Sequence, residues 1–142
     1  MFKGILQLAA ILGVLSIGFG FNSDAAVDWG QVKNLAENIQ SGSEVLGAEM
    51  DAQLDTLIGT PYFWRQFAAY DLLDYELAAS TLLDKVASSN DSIEVHRALN
   101  NVLSSGEKAA GSLVHAKFGY QVDELFSRCV AWSHLLEIEL KK

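Results

Sequence analysis

Cys129 is the only cysteine in the chain, so no internal disulfide can form and the fold must hold by packing alone. It lies in Leu125-Phe126-Ser127-Arg128-Cys129-Val130-Ala131-Trp132, in step with apolar neighbours at helical spacing, and reads as a small buried hydrophobe rather than a nucleophile. Proline occurs once, at Pro61, in Gly59-Thr60-Pro61, a sequence that stops one helix and starts the next. Positive charge is scarce too. Ten Lys and Arg stand against eighteen Asp and Glu, a net charge of -8, and the bases form no stripe. Phosphate backbones and anionic lipid surfaces need clustered bases, so nucleic acid and charged-membrane docking are excluded as functions.

The motifs of chemistry are missing as well. There is no Cys-x-x-Cys-His for covalent haem, no Gly-x-Ser-x-Gly turn and no phosphate-cradling glycine loop. A di-iron bundle wants Glu three residues before His, yet Ile93, Ser112 and Ala131 precede His96, His115 and His134 at that distance. Carboxylate pairs such as Asp71 with Asp74, or Glu137 with Glu139, read as solvated helix faces. No enzyme, metal or cofactor is expected. Met50 with a histidine is the one pair that non-covalent haem would use, and Met50 reads instead as core filler.

Strict period-two alternation is absent, so no strand is expected. What is present is helical periodicity after a distinct leader. Residues 1–25 combine Lys3, an almost unbroken apolar run from Ile5 to Phe21, and Ser23 with Ala25 at the positions a signal peptidase inspects. They read as a signal peptide cut after Ala25, or as an uncleaved anchor. The domain expected is residues 26–142, placed in a periplasm or outside the cell.

Four apolar stripes follow. Val32, Leu35, Ile39, Leu46, Met50, Leu54 and Leu57 draw the first; Trp64, Phe67, Ala68, Leu72, Tyr75, Ala79, Leu82 and Val86 the second. Val95, Leu99, Val102, Ala109 or Ala110 and Leu113 mark a third that runs to Phe118-Gly119-Tyr120, and Val122, Leu125, Cys129, Trp132, Leu136 and Leu140 a fourth. The expected class is all-α, an antiparallel four-helix bundle. Asp91-Ser92-Ile93-Glu94 has the layout of a capping box, and Ser41-Gly42-Ser43-Glu44 and Ser104-Ser105-Gly106-Glu107 are places where a helix can break.

Those two serine-glycine sites stand 63 residues apart. The same offset aligns Asp28 with Asp91, Val32 with Val95 and Asn38 with Asn101, and later Phe63, Arg65, Ala68, Leu72, Leu73, Glu76 and Leu77 with Phe126, Arg128, Ala131, Leu135, Leu136, Glu139 and Leu140. Two duplicated helical hairpins would produce this pattern, and coincidence between amphipathic helices is the alternative.

The unusual local feature is Tyr62-Phe63-Trp64 with Phe67, at the start of the second helix. Three consecutive rings span about 200° of a helix, wider than one core stripe, so at least one reaches the surface. Tyr62, Phe63, Trp64 and Phe67 are therefore the candidate interaction residues; the alternative is a plug that seals the bundle's end, joined by Trp29 and Trp132. Asn90-Asp91-Ser92 is a glycan acceptor pattern at Asn90. The function expected is an exported binding module without catalysis, acting on a protein partner. The alternative is a carrier of a small apolar ligand, such as a lipid, a pigment or haem, with room left by Gly47, Ala68, Ala79, Gly106, Ala110 and Gly111.

Overall fold

The computed structural model describes residues 26–54 and 62–142. The leader and its cut after Ala25, the Gly59-Thr60-Pro61 stop and the Tyr62 side chain lie outside the described residues. Four helices pack against one another: α1 (Trp29–Leu54), α2 (Tyr62–Ser88), α3 (Ser92–Ala116) and α4 (Tyr120–Leu140). Among the described residues there is no strand, and no helix is long and apolar enough to cross a membrane.

Each helix buries residues at steps of three and four, which is one face of a 3.6-residue helix. α1 contributes Val32, Leu35, Ala36, Ile39, Ser43, Leu46 and Met50, and α3 contributes Val95, Ala98, Leu99, Val102, Gly106, Ala109 and Leu113. α2 adds Ala68, Leu72, Tyr75, Ala79, Leu82 and Val86, with Arg65 buried on the same side. α4 adds Val122, Phe126, Cys129, Ser133, Leu136, Glu139 and Leu140.

Helices pair through opposite ends. Asp28, just before α1, donates its backbone N–H to Glu139 near the end of α4 (2.9 Å), while Gln53 near the end of α1 accepts from the Gly119 N–H at the start of α4 (2.9 Å). Likewise Trp64 meets His115, Ser112 hydrogen-bonds Asp71, and Lys85 pairs with Glu94 along α2 and α3. α1 also packs on α2, and α3 on α4.

Both serine-glycine sites are continuous helix, contrary to the expected breaks. The serines stay inside the helix by returning their hydroxyls to it: Ser41 Oγ donates to Glu37 O (2.8 Å) and Ser43 Oγ to Gln40 O (2.7 Å). The glycines serve close approach. A Cβ at Gly42 would stand 2.8 Å from Cys129 Sγ and 2.8 Å from Trp132 Cζ3, and one at Gly106 would touch the Tyr75 ring at 3.4 Å.

The capping box at Asp91 forms only in part. Asp91 Oδ1 accepts from the Ile93 N–H at 2.8 Å, two residues on rather than three, and Ser89 Oγ takes the Asp91 N–H that Glu94 was expected to reach. Glu94 is thereby released to face Lys85 at 3.8 Å across the turn. Asp28 caps α1 similarly, accepting from the Gln31 N–H at 3.1 Å.

α3 stops at Ala116, short of the expected Phe118-Gly119-Tyr120, because Lys117 adopts the left-handed conformation (φ 52°, ψ 54°) and Phe118 turns into the core. Gly119 has an ordinary φ of -70° and is small for another reason, its approach to the Gln53 side chain. The left-handed position thus carries an ordinary side chain where glycine is the usual choice. Lys117→Gly should raise stability by about 1 kcal/mol, read as a higher urea midpoint at unchanged slope.

The offset of 63 splits in two. All seven buried positions of α1 fall on buried positions of α3 at that offset, from Val32 on Val95 to Met50 on Leu113, and so do the two capping aspartates. In α2 and α4 the aligned identities face opposite ways. Phe63, Leu73 and Leu77 are exposed whereas Phe126, Leu136 and Leu140 are buried, and Arg65 and Leu72 are buried whereas Arg128 and Leu135 are exposed. The buried sets of these two helices coincide at a different offset, Arg65 on Phe126, Ala68 on Cys129, Leu72 on Ser133 and Tyr75 on Leu136. A slip of two residues turns a helix by about 200°, which exchanges its faces.

Candidate functional site

The titratable and polar groups have structural employment. Ser112, buried on α3, donates its hydroxyl to Asp71 on α2, which ties the two helices together. Asp74 is exposed, so Asp71 and Asp74 do not form a carboxylate couple facing one site. His134 Nδ1 lies 3.5 Å from Glu137, whose carboxyl is held below the usual range first by the hydrogen bond from Lys141 (2.6 Å); burial opposes this, and the Lys141 charge and His134 add to the lowering. Glu139 is buried, and its carboxylate accepts from the Asp28 N–H and from Lys142. Among the described residues no three His, Cys, Asp or Glu side chains are grouped so as to hold a metal ion.

Within the core, the Tyr75 hydroxyl lies 3.4 Å from Ser133 Oγ, and Ser133 in turn donates to the Cys129 carbonyl at 2.9 Å. Burial pushes the Cys129 thiol up to about 12 and raises the Tyr75 hydroxyl above its ordinary value. A thiol so disfavoured as thiolate is inert as a nucleophile, as expected for a small core residue. Of the small residues offered as room for a ligand, Ala68 and Ala79 are fully buried and Gly106 lies against the Tyr75 ring, while Gly111 is exposed with nothing within 4 Å of a Cβ placed there. Open depressions occur at the surface, one along Ser92, Ile93, His96, Arg97 and Asn100 and one between Glu49, Gln121, Leu125 and Arg128.

The aromatic start of α2 is where the surface departs from ordinary. Phe63 is 58% exposed and Phe67 45%, their centroids 4.6 Å apart, whereas Trp64 turns partly inward and stacks on His115 at 4.4 Å with 29° between the planes. Phe63 also meets Trp64 edge-on at 5.6 Å. The core-side stripe had placed Phe67 beside Ala68; instead Phe67 faces outward, because Arg65, Ala68 and Leu72 take the inner face and Phe67 lies well round the helix from them. Of the described rings at this end, Trp64 is thus turned partly inward while Phe63 and Phe67 stay open to solvent. Trp29 is at the opposite end of the bundle, next to the Asp28–Glu139 contact, and Trp132 packs on Gly42 midway along α1, so neither joins the cluster.

The patch continues beyond the residues expected from the sequence. Tyr70, Leu73 and Leu77 extend it along α2, exposed by 69%, 60% and 67%. Their signal was present in the spacing, but on a helix apolar all round the spacing does not say which side faces the core. Asn90 is exposed in the short turn between α2 and α3, at the other end of α2 from Phe63. No protein-family model, curated protein or solved structure shows significant similarity to this chain.

Proposed function

We propose that this chain is an exported helical interaction module without catalytic activity, binding through the outer face of α2 that begins at Phe63 and Phe67. The observation that carries the reading is the run of large apolar side chains left open on that face, in a domain whose other exposed hydrophobics are scattered. Contiguous apolar surface of this kind on a folded domain is maintained for a contact. Export rests on the leader sequence and its small residues at Ser23 and Ala25. Asn90 would be a glycan acceptor only in a host that glycosylates exported chains.

The finer architecture belongs to the same reading: an antiparallel four-helix bundle built from a duplicated helical hairpin. Its support is the common register of α1 and α3, capping aspartate included, and the opposite-end contacts of α1 with α4 and of α2 with α3. The second helices of the two hairpins would have slipped by two residues after duplication.

The test is a pair of substitutions, Phe63→Ser and Phe67→Ser, made together. The double variant should keep its helix content and a midpoint within about 0.5 kcal/mol of the original, as surface changes do, while capture of the binding partner from the exported fraction of the host is lost. Unfolding of the double variant would mean that the rings hold the fold, and undiminished capture would place the contact elsewhere.

A further inference from the structure

α2 is apolar on two opposite faces, and only one of them is covered by the other described helices. Ala68, Leu72, Tyr75, Ala79 and Leu82 enter the core; Phe63, Phe67, Tyr70, Leu73 and Leu77 lie on the far side, within about 120° of the helix circumference. Elsewhere the exposed large hydrophobics stand singly or as the one-turn pair Leu135 and Ile138, which any protein surface tolerates.

The spacing of the open stripe indicates its occupant. Counted from Tyr70, Phe63 and Leu77 fall seven residues to either side, and Phe67 and Leu73 three residues to either side. A stripe whose apolar positions are spaced symmetrically about one residue can meet its own reversed copy, as a two-fold axis requires. Two α2 helices laid antiparallel about Tyr70 bring Tyr70 against Tyr70 and Phe63 of each copy against Leu77 of the other near the midline, with the two Leu73 side chains on one flank and the two Phe67 side chains on the other. The polar residues of the face lie off the midline, Gln66 on the flank of Leu73 and Asp74 on that of Phe67. The two Asp74 carboxylates stay about 12 Å apart, beyond the screening length at physiological salt.

Two further observations agree. Sliding the chain by 63 sets Phe63, Leu73 and Leu77 on Phe126, Leu136 and Leu140, the residues by which α4 enters the core, so the outer face of α2 is composed like an inner one. The five side chains leave roughly 600 Å² open on each copy, and their neighbours Gln66, Asp74 and Thr81 bring the face toward the roughly 800 Å² per partner of a stable interface.

We infer that the chain forms a two-fold dimer through the outer face of α2, the two helices antiparallel with the axis at Tyr70. This rests on the proposed use of that face for binding and names a second copy as the partner. The experiment uses the chain as recovered from an exporting host, in sedimentation runs from about 1 to 100 μM. A dimer mass is expected, reverting to monomer in Leu73→Glu and in Leu77→Glu with the helical circular dichroism unchanged. Tyr70→Cys should cross-link into a covalent dimer under mild oxidation, at least tenfold faster than Thr81→Cys, whose sites would be about 33 Å apart on the same face.

A monomer throughout the concentration range overturns the inference, as does equal cross-linking at the two positions or a dimer that survives both glutamates. The broader reading is judged separately. A monomer that still loses a foreign partner on Phe63→Ser and Phe67→Ser leaves that reading in place, whereas undiminished capture together with a dimer that survives both glutamates removes both.

Discussion

Gly42→Ala should destabilise the protein by about 2 kcal/mol, lowering the melting temperature by about 8 °C, although alanine is the better helix former. The cause is space. The new methyl group would stand 2.8 Å from both Cys129 Sγ and the Trp132 ring, well inside contact distance, so α1 and α4 must move apart or Trp132 must leave its packing. The helix-propensity gain of up to about 1 kcal/mol offsets only part of an overpacking cost of about 3 kcal/mol, the upper end of the usual range because two side chains stand in the way at once. Gly111→Ala is the control, because a Cβ there meets nothing within 4 Å and only the propensity gain remains; it should stabilise by about 0.5–1 kcal/mol. In a Cys129→Ala background the cost of Gly42→Ala should shrink by about 1 kcal/mol, since one of its two obstructions is gone. Equal effects of alanine at Gly42 and Gly111 in thermal melts would show that α1 and α4 are not in close contact at this point.

Raising the pH should unfold the protein by way of its core rather than its surface. The Cys129 thiol ordinarily ionises near 9.0 and is pushed up to about 12 by burial; the Tyr75 hydroxyl, ordinarily at 10.0, is raised by burial first and then by the neighbouring Cys129, with the Ser133 hydrogen bond opposing. The folded chain therefore keeps protons that the unfolded chain gives up. Stability is fully present below the ordinary thiol value and falls as pH rises from there, by about 1.4 kcal/mol per pH unit for each group in turn. For Cys129 the loss between pH 9 and 12 is on the order of 3 kcal/mol. Urea midpoints at a series of alkaline pH values read this directly. Cys129→Ala should flatten the first part of the decline and Tyr75→Phe the later part; profiles that stay parallel in all three proteins would rule these two groups out as the cause.

The sequence was most legible where a helix is apolar on one side. In α1 and α3 every described residue of the expected stripes, Leu57 lying outside the described residues, proved to be on the buried face or beside it, because polar residues such as Lys33, Asn38, Asn100 and Lys108 leave a single choice of inner side. α2 has no such asymmetry. Its apolar residues go all round, and the choice of inner face is made by α1 and α3, which is why Phe67 was placed with Ala68 and why Tyr70, Leu73 and Leu77 were not seen as one open line. Arg65, buried in the first turn, runs against any rule based on charge alone.

Glycine posed a different ambiguity. At Gly42 and Gly106 the lack of a side chain is equally a licence to break a helix and a licence for a neighbour to come close, and only the positions of Trp132, Cys129 and Tyr75 decide between them. The 63-residue identities in α2 and α4 misled for a geometric reason, since matching letters two residues out of step with the packing sit on opposite faces. That at least one ring of Tyr62-Phe63-Trp64 reaches the surface was legible from the width of the aromatic run, whereas the outward turn of Phe67 was not.

The pairing of the first helix with the last governs the order in which the fold can be completed. α2 and α3 meet across the three-residue turn at Ser89–Asp91, a short loop closed at little entropic cost. α1 and α4, by contrast, are fastened at Asp28–Glu139 and Gln53–Gly119, contacts spanning 111 and 66 residues. A chain threaded out of a ribosome or through a translocation pore delivers one member of that pair at the beginning and the other at the end. Val32, Ile39 and Leu46 thus await Cys129 and Leu136, and the core closes only when the final helix emerges, which leaves the first apolar stripe unsatisfied through most of the chain's delivery.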